Sequence, residues 1–127
     1  MSDERRSLRT GFLRSAARHP SRPAVHIGTE SLSYSELESM ARSFAVTLDA
    51  ATVGSEPLLT AVFAHRSFVA YGGVLGALLR GHGYVPLNPG FPTDRTRAML
   101  VRSLCQSVIV DEAAARQLDE LLEGVDT

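Results

Sequence analysis

The sequence predicts an α/β protein with a parallel doubly wound sheet layer, flanking helices and an N-terminal hairpin. From Leu58 onward, strand-length and helix-length segments alternate as β-α-β-α-β-α, an order that right-handed crossovers convert into a parallel sheet. The first of these strand-length segments is an unbroken apolar run, which is typical of a strand covered on both faces. Glycine and proline separate the segments at the expected helix and strand ends.

The N-terminal part is predicted to form a helix followed by a short hairpin. The helix over Leu8–Arg18 carries its apolar residues on one face and ends before Pro20. Two extended runs follow, Ala24–Ile27 and Ser31–Ser33, and a Gly-Thr pair between them favours a hairpin turn.

A second helix is predicted to begin after Ser33. Ser33 fits the N-cap position and Glu36 lies three residues later, which is the pattern of a capping box. Leu32 and Leu37 fit the hydrophobic staple around that cap. Apolar residues then recur at helical spacing as far as Leu48.

The second half supplies the sheet and its helices. Leu58–Phe63 is the predicted central strand, and the nearly all-apolar helix Ser67–Arg80 ends at Gly81, a typical C′ residue. The small residues of this helix form a flat surface that another backbone can approach closely: Gly72, Gly73, Gly76 and Ala77. The remaining elements are strand Gly83–Leu87, a helix from Pro92 to about Arg102, strand Ser107–Val110 and helix Glu112–Leu122.

Composition narrows the functional classes. We expect residues 1–127 to form a single domain, with Thr52–Pro57 as its most loop-like internal stretch. The formal net charge of −1 favours neither nucleic acid nor membrane as a partner, and the single Cys, with no apolar signal segment, predicts a cytoplasmic location. All 13 basic residues are Arg, so the chain has no Lys for a Schiff base or a Walker A loop.

No pattern in the sequence indicates a catalytic, cofactor-binding or metal site. The four histidines lack metal-ligand spacing: His19, His26, His65 and His82. His65 follows the predicted central strand, where ligands bind in open α/β sheets, but a capping or solvated loop role is favoured. Cys105 is interpreted as a small buried apolar residue rather than a nucleophile.

The glycines do not form a nucleotide-binding loop. The run Gly72–Gly76 falls inside a helix, and no G-x-G-x-x-G or G-x-x-x-x-G-K-[ST] motif is present. Gly81 and Gly83, on either side of His82, predict a tight helix-to-strand turn. Paired carboxylates such as Asp111-Glu112 are assigned to helix caps and exposed faces.

Two segments carry a family resemblance. Leu32–Leu37 (LSYSEL) resembles the first core motif of amino-acid adenylation domains, L-[ST]-Y-x-E-L. Leu78–Pro89 (LLRGHGYVPLNP) resembles the second, L-K-A-G-x-A-Y-V-P-L-D-P, although Asn88 replaces the usual Asp. Phe91–Arg95 (FPTDR) is similar to the Y-P-x-x-R that follows, and Arg66 begins the family's usual R-S pair.

The resemblance extends from about Thr10 to Asp126 and implies the adenylate-forming fold shared with acyl-CoA ligases and luciferases. It implies an enzyme that joins ATP and a carboxylate into an acyl-adenylate and passes the acyl group to a carrier-protein thiol, in the nonribosomal peptide synthetase branch. The family's phosphate loop, substrate pocket and catalytic Lys follow the matched region. We therefore expect ATP and Mg only in the complete enzyme, and neither cofactor nor catalytic residues in this chain.

Two hypotheses of different classes follow. In the first, the chain is the N-terminal structural part of an adenylating enzyme, truncated before the phosphate loop, and needs a second polypeptide with the missing motifs. In the second, it is a non-catalytic module that binds or stabilises a synthetase or a carrier protein, using the flat glycine surface and its acidic C-terminal region. The amino or aryl acid substrate is not specified by these residues.

Overall fold

The computed structural model of the protein describes residues 8–51 and 58–125. Within these ranges the helices are α1 (Leu8–Arg18), α2 (Tyr34–Ala51), α3 (Phe68–Leu79), α4 (Thr93–Ser103) and α5 (Glu112–Leu122). The strands are β1 (Pro23–Ile27), β2 (Glu30–Ser33), β3 (Leu59–Phe63), β4 (Gly83–Leu87) and β5 (Ser107–Val110). Every predicted element is present close to its predicted bounds, and the predicted loop Thr52–Pro57 lies outside the described residues.

The predicted capping box forms at the start of α2. The amide of Glu36 donates to Ser33 Oγ at 3.1 Å, and the amide of Ser33 donates to Glu36 Oε1 at 2.9 Å. Hydrogen bonding of the Glu36 carboxylate to the backbone amide of Ser33, and to a smaller extent to its side chain, holds the pKa of Glu36 below its ordinary value. Leu32 and Leu37 meet in one apolar cluster, which confirms the staple and fixes the angle at which the β1–β2 hairpin enters α2.

The predicted α4 differs in one detail. Pro92 takes the N-cap position, with an extended ψ of 140°, and the helix begins at Thr93 rather than with Pro92 in its first turn. The extended backbone at Pro92 still lets its carbonyl accept the first helical bond, from the amide of Thr96 at 3.2 Å.

The three C-terminal strands form a parallel sheet in the order β4-β3-β5. Its two faces are covered by different helices, as a doubly wound sheet requires. On one face, Ala61 and Phe63 of β3 pack with Leu100 of α4 and Leu121 of α5. On the other face, α3 crosses the sheet, and a further cluster joins α2, α3 and β5 through Leu48, Ala77 and Ile109.

The flat surface of α3 lies inside the molecule. A Cβ added at Gly76 would lie 2.6 Å from Phe44 Cβ and 2.9 Å from the carbonyl oxygen of Ala41, so α2 approaches α3 at backbone distance there. Gly73 faces Ile109 of β5 in the same way, at 3.0 Å. The prediction of a close backbone approach is confirmed, but the idea that this surface docks an external partner is wrong, because α2 and β5 cover it.

Candidate functional site: the carboxyl edge of the sheet

The carboxyl edge of the parallel sheet is the place to look for a ligand site. In open α/β sheets, ligands bind where neighbouring strands send their connections to opposite faces. Here that point lies between β3, whose chain continues into α3 on one face, and β5, whose chain continues into α5 on the other. His65 follows β3 and Asp111 follows β5, so both lie at this point.

Asp111 fills this crevice with its own carboxylate. Its Oδ1 accepts a bond from the amide of Ala114 at 2.7 Å, which caps α5. Its Oδ2 accepts from the amide of His65 at 2.8 Å and from Ser67 Oγ at 3.0 Å. The residue is only 5% exposed, so these bonds are well shielded from water.

The hydrogen bonds to Asp111 stabilise its carboxylate in the ionised form. Burial alone raises the pKa of this carboxyl, but hydrogen bonds from Ala114, Ser67 and His65 together lower it below its ordinary value of 3.8. The group is therefore ionised at neutral pH and has no tendency to hold or release a proton there.

Ser67, His65 and Asp111 do not form a nucleophile–base–acid relay. Such a relay needs the imidazole between the hydroxyl and the carboxylate. Ser67 Oγ instead donates directly to Asp111 and accepts from the amide of Ala70 at 3.2 Å, where it caps α3. His65 Nδ1 lies 3.6 Å from Asp111 Oδ1. The cluster joins the β3–α3 turn to the β5–α5 turn, and His65 takes part in it through its backbone amide.

A cleft of about 510 Å³ lies beside this cluster, between α3 and the end of β4. Its floor is apolar, formed by Val62, Ala70, Val74 and Pro86, with His65 and Arg66 at its rim. Asn88, also at the rim, is engaged in its own loop, where its side-chain oxygen accepts from the amide of Gly90 at 2.7 Å. A larger groove of about 690 Å³ lies between α1 and α2, away from the strand ends.

The amino edge of the sheet holds a buried polar cluster that sequence reasoning missed. His82 Nδ1 lies 2.9 Å from Thr60 Oγ1, which lies 3.0 Å from Ser107 Oγ. His82 is 4% exposed, and its Nε2 has no hydrogen-bond partner among the described residues. Burial, and to a smaller extent the charge of Arg80, lower the pKa of His82 below 6.5. In the sequence, Thr60 is 22 positions from His82 and 47 positions from Ser107. No local pattern relates residues that are so far apart, so the sequence could not have predicted this cluster.

The other candidate residues have local structural roles. Gly81 has a φ of +86°, as predicted for the residue after α3, and a Cβ at Gly83 would lie 2.7 Å from a methyl group of Leu59. Cys105 is half-buried against the Ala61–Phe63 core cluster, and the predicted apolar role agrees with that position. Arg95, the last residue of FPTDR, stacks 4.3 Å over the ring of Phe91, its first residue.

No metal site or membrane span is found among the described residues. Within residues 8–51 and 58–125, no three His, Cys, Asp or Glu side chains come together as metal ligands would. None of the described helices combines the length and apolarity needed to cross a bilayer.

Comparison with known proteins decides the family. Residues 12–127 match the family described as AMP-binding enzyme. The chain belongs to this family. Among curated AMP-binding relatives, it is 39% identical over 110 residues to the AMB antimetabolite synthetase AmbB of Pseudomonas aeruginosa, covering 87% of this chain and 9% of AmbB. It is 33% identical over 108 residues to bacitracin synthase 1 of Bacillus licheniformis, covering 82% of this chain and 2% of that protein.

Solved structures agree with this assignment. IdnL7 superposes with a TM-score of 0.81 and 39% identity, covering 89% of this chain and 22% of IdnL7. The Vibrio cholerae adenylation domain AlmE, solved with glycyl-adenosine-5'-phosphate, gives a TM-score of 0.76 and 25% identity over 91% of this chain and 21% of AlmE. The predicted fold and the resemblance to the N-terminal portion of a nonribosomal peptide synthetase adenylation domain are confirmed. This chain spans about a fifth of these structures and less than a tenth of these curated relatives.

Proposed function

We propose that this chain is the N-terminal structural part of an ATP-dependent enzyme that adenylates an amino acid or aryl acid in nonribosomal peptide biosynthesis. It works with a second polypeptide that carries the phosphate loop, the substrate pocket and the catalytic Lys. The observation that carries the proposal is a family match over residues 12–127, in which motif residues form contacts with one another, Ser33 with Glu36 and Arg95 with Phe91.

The described residues of this chain do not fit ATP or Mg. The crevice between β3 and β5, where an open α/β sheet binds a ligand, is occupied by the carboxylate of Asp111, which already accepts three hydrogen bonds. The sequence contains no Lys that could neutralise a phosphate, and the described residues bring no metal ligands together. These residues position the elements that flank the adenylation site.

ATP–pyrophosphate exchange tests the proposal directly. The purified 127-residue chain, AmbB, and a chimera in which this chain replaces the matched segment of AmbB are assayed with each of the common amino acids. We expect no exchange by the chain alone, and exchange by the chimera with the amino-acid preference of AmbB. Exchange by the isolated chain would contradict a purely structural role.

The amino-acid preference of the chimera separates two kinds of contribution. If residues of this chain shaped the substrate pocket, the preference would change while the overall folding, followed by circular dichroism, stayed the same. A shift in preference would therefore contradict the proposal as clearly as activity of the isolated chain.

A further inference from the structure

The groove between α1 and α2 encloses about 690 Å³ and is separate from the cluster at the carboxyl edge of the sheet. Its floor is apolar, formed by Leu13 of α1, Ala45 and Val46 of α2, and Leu79 of α3. Val46 is 70% exposed, although a β-branched residue gains little from an exposed helical position. The described elements therefore leave a contiguous apolar surface open to solvent.

The walls of this groove are helices, and this favours a helix as its occupant. The residues that line it recur at helical spacing, with Arg9 and Leu13 on α1 and Arg42 and Val46 on α2. An extended segment would place backbone N–H and C=O groups against an apolar floor that offers no strand edge. A helix satisfies those groups internally and can lay a stripe of apolar side chains on the floor.

The α1 wall of the groove is positively charged. The eleven residues of α1 include three arginines, Arg9, Arg14 and Arg18, and no acidic residue. Arg9 lies in the first turn of α1, where the helix dipole favours an anion over a cation. Neither Arg9 nor Arg14 forms an ion pair with another described residue. A carboxylate that a partner brings to this wall meets uncompensated positive charge.

The carboxylates closest to the α2 wall are already paired. Glu38, one turn before Arg42, lies 2.6 Å from its Nε, and Asp49, one turn after Val46, pairs with Arg80. The side chain of Arg42 is still 59% exposed, so it can contact a partner as well. None of the described residues that line the groove is acidic. The groove is therefore complementary to an apolar stripe flanked by acidic side chains.

Neither a second copy of the chain nor a bilayer matches this surface. The described helices with an acidic net charge are α2 and α5, and both bury their apolar faces, through Leu37 and Leu48 in α2 and through Ala114 and Leu121 in α5. A second copy thus offers, within residues 8–51 and 58–125, no acidic helix with an open apolar face. A bilayer surface is too flat to reach the floor of a groove between two helices.

We propose that the groove between α1 and α2 is a docking site for an acidic amphipathic helix of a separate protein. The apolar stripe of that helix covers Leu13, Val46 and Leu79, and its carboxylates lie against Arg9 and Arg42. Docking there leaves the carboxyl edge of the sheet uncovered, so the inference does not depend on the proposed function.

Fluorescence anisotropy with designed peptides tests the docking site on the 127-residue chain. The probe is a labelled helical peptide of about 16 residues, with Leu at helical spacing and Glu on both sides of that stripe. A second peptide has Lys in place of every Glu, and a third has the composition of the first in scrambled order. We expect saturable binding of the Glu peptide and roughly 10-fold weaker binding of the other two.

Two variants separate the apolar contribution from the charge. Val46→Ser should weaken binding of the Glu peptide roughly 5-fold through lost apolar contact. Its matched control is Val101→Ser, at a 51% exposed valine of α4, which should leave binding unchanged. Arg9→Glu should weaken the Glu peptide roughly 10-fold and strengthen the Lys peptide, a reversal that a merely structural role of Arg9 does not produce. Circular dichroism checks that each variant is folded.

Binding that ignores charge or sequence order would overturn the inference. This outcome includes equal affinity for the Glu and Lys peptides, equal affinity for the scrambled peptide, no binding at all, or affinities that Val46→Ser and Arg9→Glu leave unchanged.

Three further measurements distinguish other occupants. The Glu peptide must also bind a chimera in which this chain replaces the matched segment of IdnL7, because loss of binding there would show that the rest of that fold covers the groove. The same replacement in AlmE provides a second scaffold. Self-association that Val46→Ser abolishes would identify a second copy as the occupant. Binding to phosphatidylserine vesicles that Val46→Ser abolishes would identify a membrane surface, and either result would overturn the proposal.

Discussion

At the scale of single residues, the two ends of the sheet hold buried polar groups of opposite character. Asp111 at the carboxyl edge accepts three hydrogen bonds and is stabilised as an anion. His82 at the amino edge has one ring nitrogen bonded to Thr60 and the other without a partner among the described residues, and burial favours its neutral form. Asp111 connects two turns, and His82 makes the stability of the fold depend on pH.

Replacing Asp111 by Ala should lower the free energy of unfolding by about 2–4 kcal/mol. The change removes the cap of α5 and leaves the amide of His65 and the hydroxyl of Ser67 without their acceptor. The matched control is Glu112→Ala, one residue later and exposed, for which we expect about 0.5 kcal/mol or less. Urea unfolding measures both, and equal losses would show that Asp111 does not connect the turns.

Stability should also depend on Asp111 at acid pH. Because the pKa of Asp111 in the fold is below its ordinary 3.8, its stabilising contribution is complete above pH 3.8 and is lost as the pH falls through the lower folded value. Asp111→Asn should lack this acid-dependent part of the unfolding free energy. If the unfolding free energies of the variant and the parent protein changed with pH in the same way, Asp111 would not be the source of this acid dependence.

His82 should lower stability at mildly acid pH. The pKa of His82 in the fold is below 6.5, so unfolding takes up a proton once the pH falls below 6.5, and stability declines from there toward the folded pKa. His82→Gln should flatten this part of the profile, whereas His26→Gln, at an exposed position, should not. An NMR titration of the His82 ring at or above pH 6.5 would rule the effect out.

At the scale of elements, the contact between α2 and α3 depends on missing side chains. The backbone of α2 at Ala41 comes so close to Gly76 that a methyl group there has no room. Gly11 of α1 is the opposite case, because a Cβ there meets nothing within 4 Å. Substitution by alanine at Gly11 therefore tests helix propensity alone, whereas at Gly76 it also tests the packing of α2 against α3.

The same substitution should have opposite signs at these two glycines. Gly11→Ala should raise the free energy of unfolding by about 0.5–1 kcal/mol through helix propensity. Gly76→Ala should lower it by about 1–3 kcal/mol, because α2 and α3 must move apart. Thermal and urea unfolding of the two variants measure the signs, and stabilisation by both would mean that α2 does not approach α3 at backbone distance.

The elements could be predicted from the sequence, and their contacts only in part. Helix and strand bounds follow from local signals such as the capping box at Ser33 and the glycine after α3, which act within a few residues. The small residues of α3 predicted a close approach, but not that α2 would be the partner. The Thr60–His82–Ser107 cluster and the position of Asp111 between two turns depend on strand order, which local patterns do not encode.

At the scale of the whole molecule, the described part of the chain is a sheet with an apolar core on each face. Apolar clusters lie on both faces of the sheet, and at the carboxyl edge the carboxylate of Asp111 occupies the crevice between β3 and β5. Isothermal titration calorimetry of the 127-residue chain with millimolar ATP and Mg should therefore show no saturable binding. The AmbB chimera serves as the positive control, and a saturable isotherm with the isolated chain would show that a nucleotide site had been missed.

The proline in β4 has a further consequence for how this edge strand behaves in a crowded solution. The amide of Gly83 donates inward to Leu58, so by alternation Pro86 faces outward, and the outer edge of β4 offers a neighbouring molecule one backbone donor fewer. An edge interrupted in this way is a poor template for pairing with another copy of the chain, which limits aggregation through the sheet.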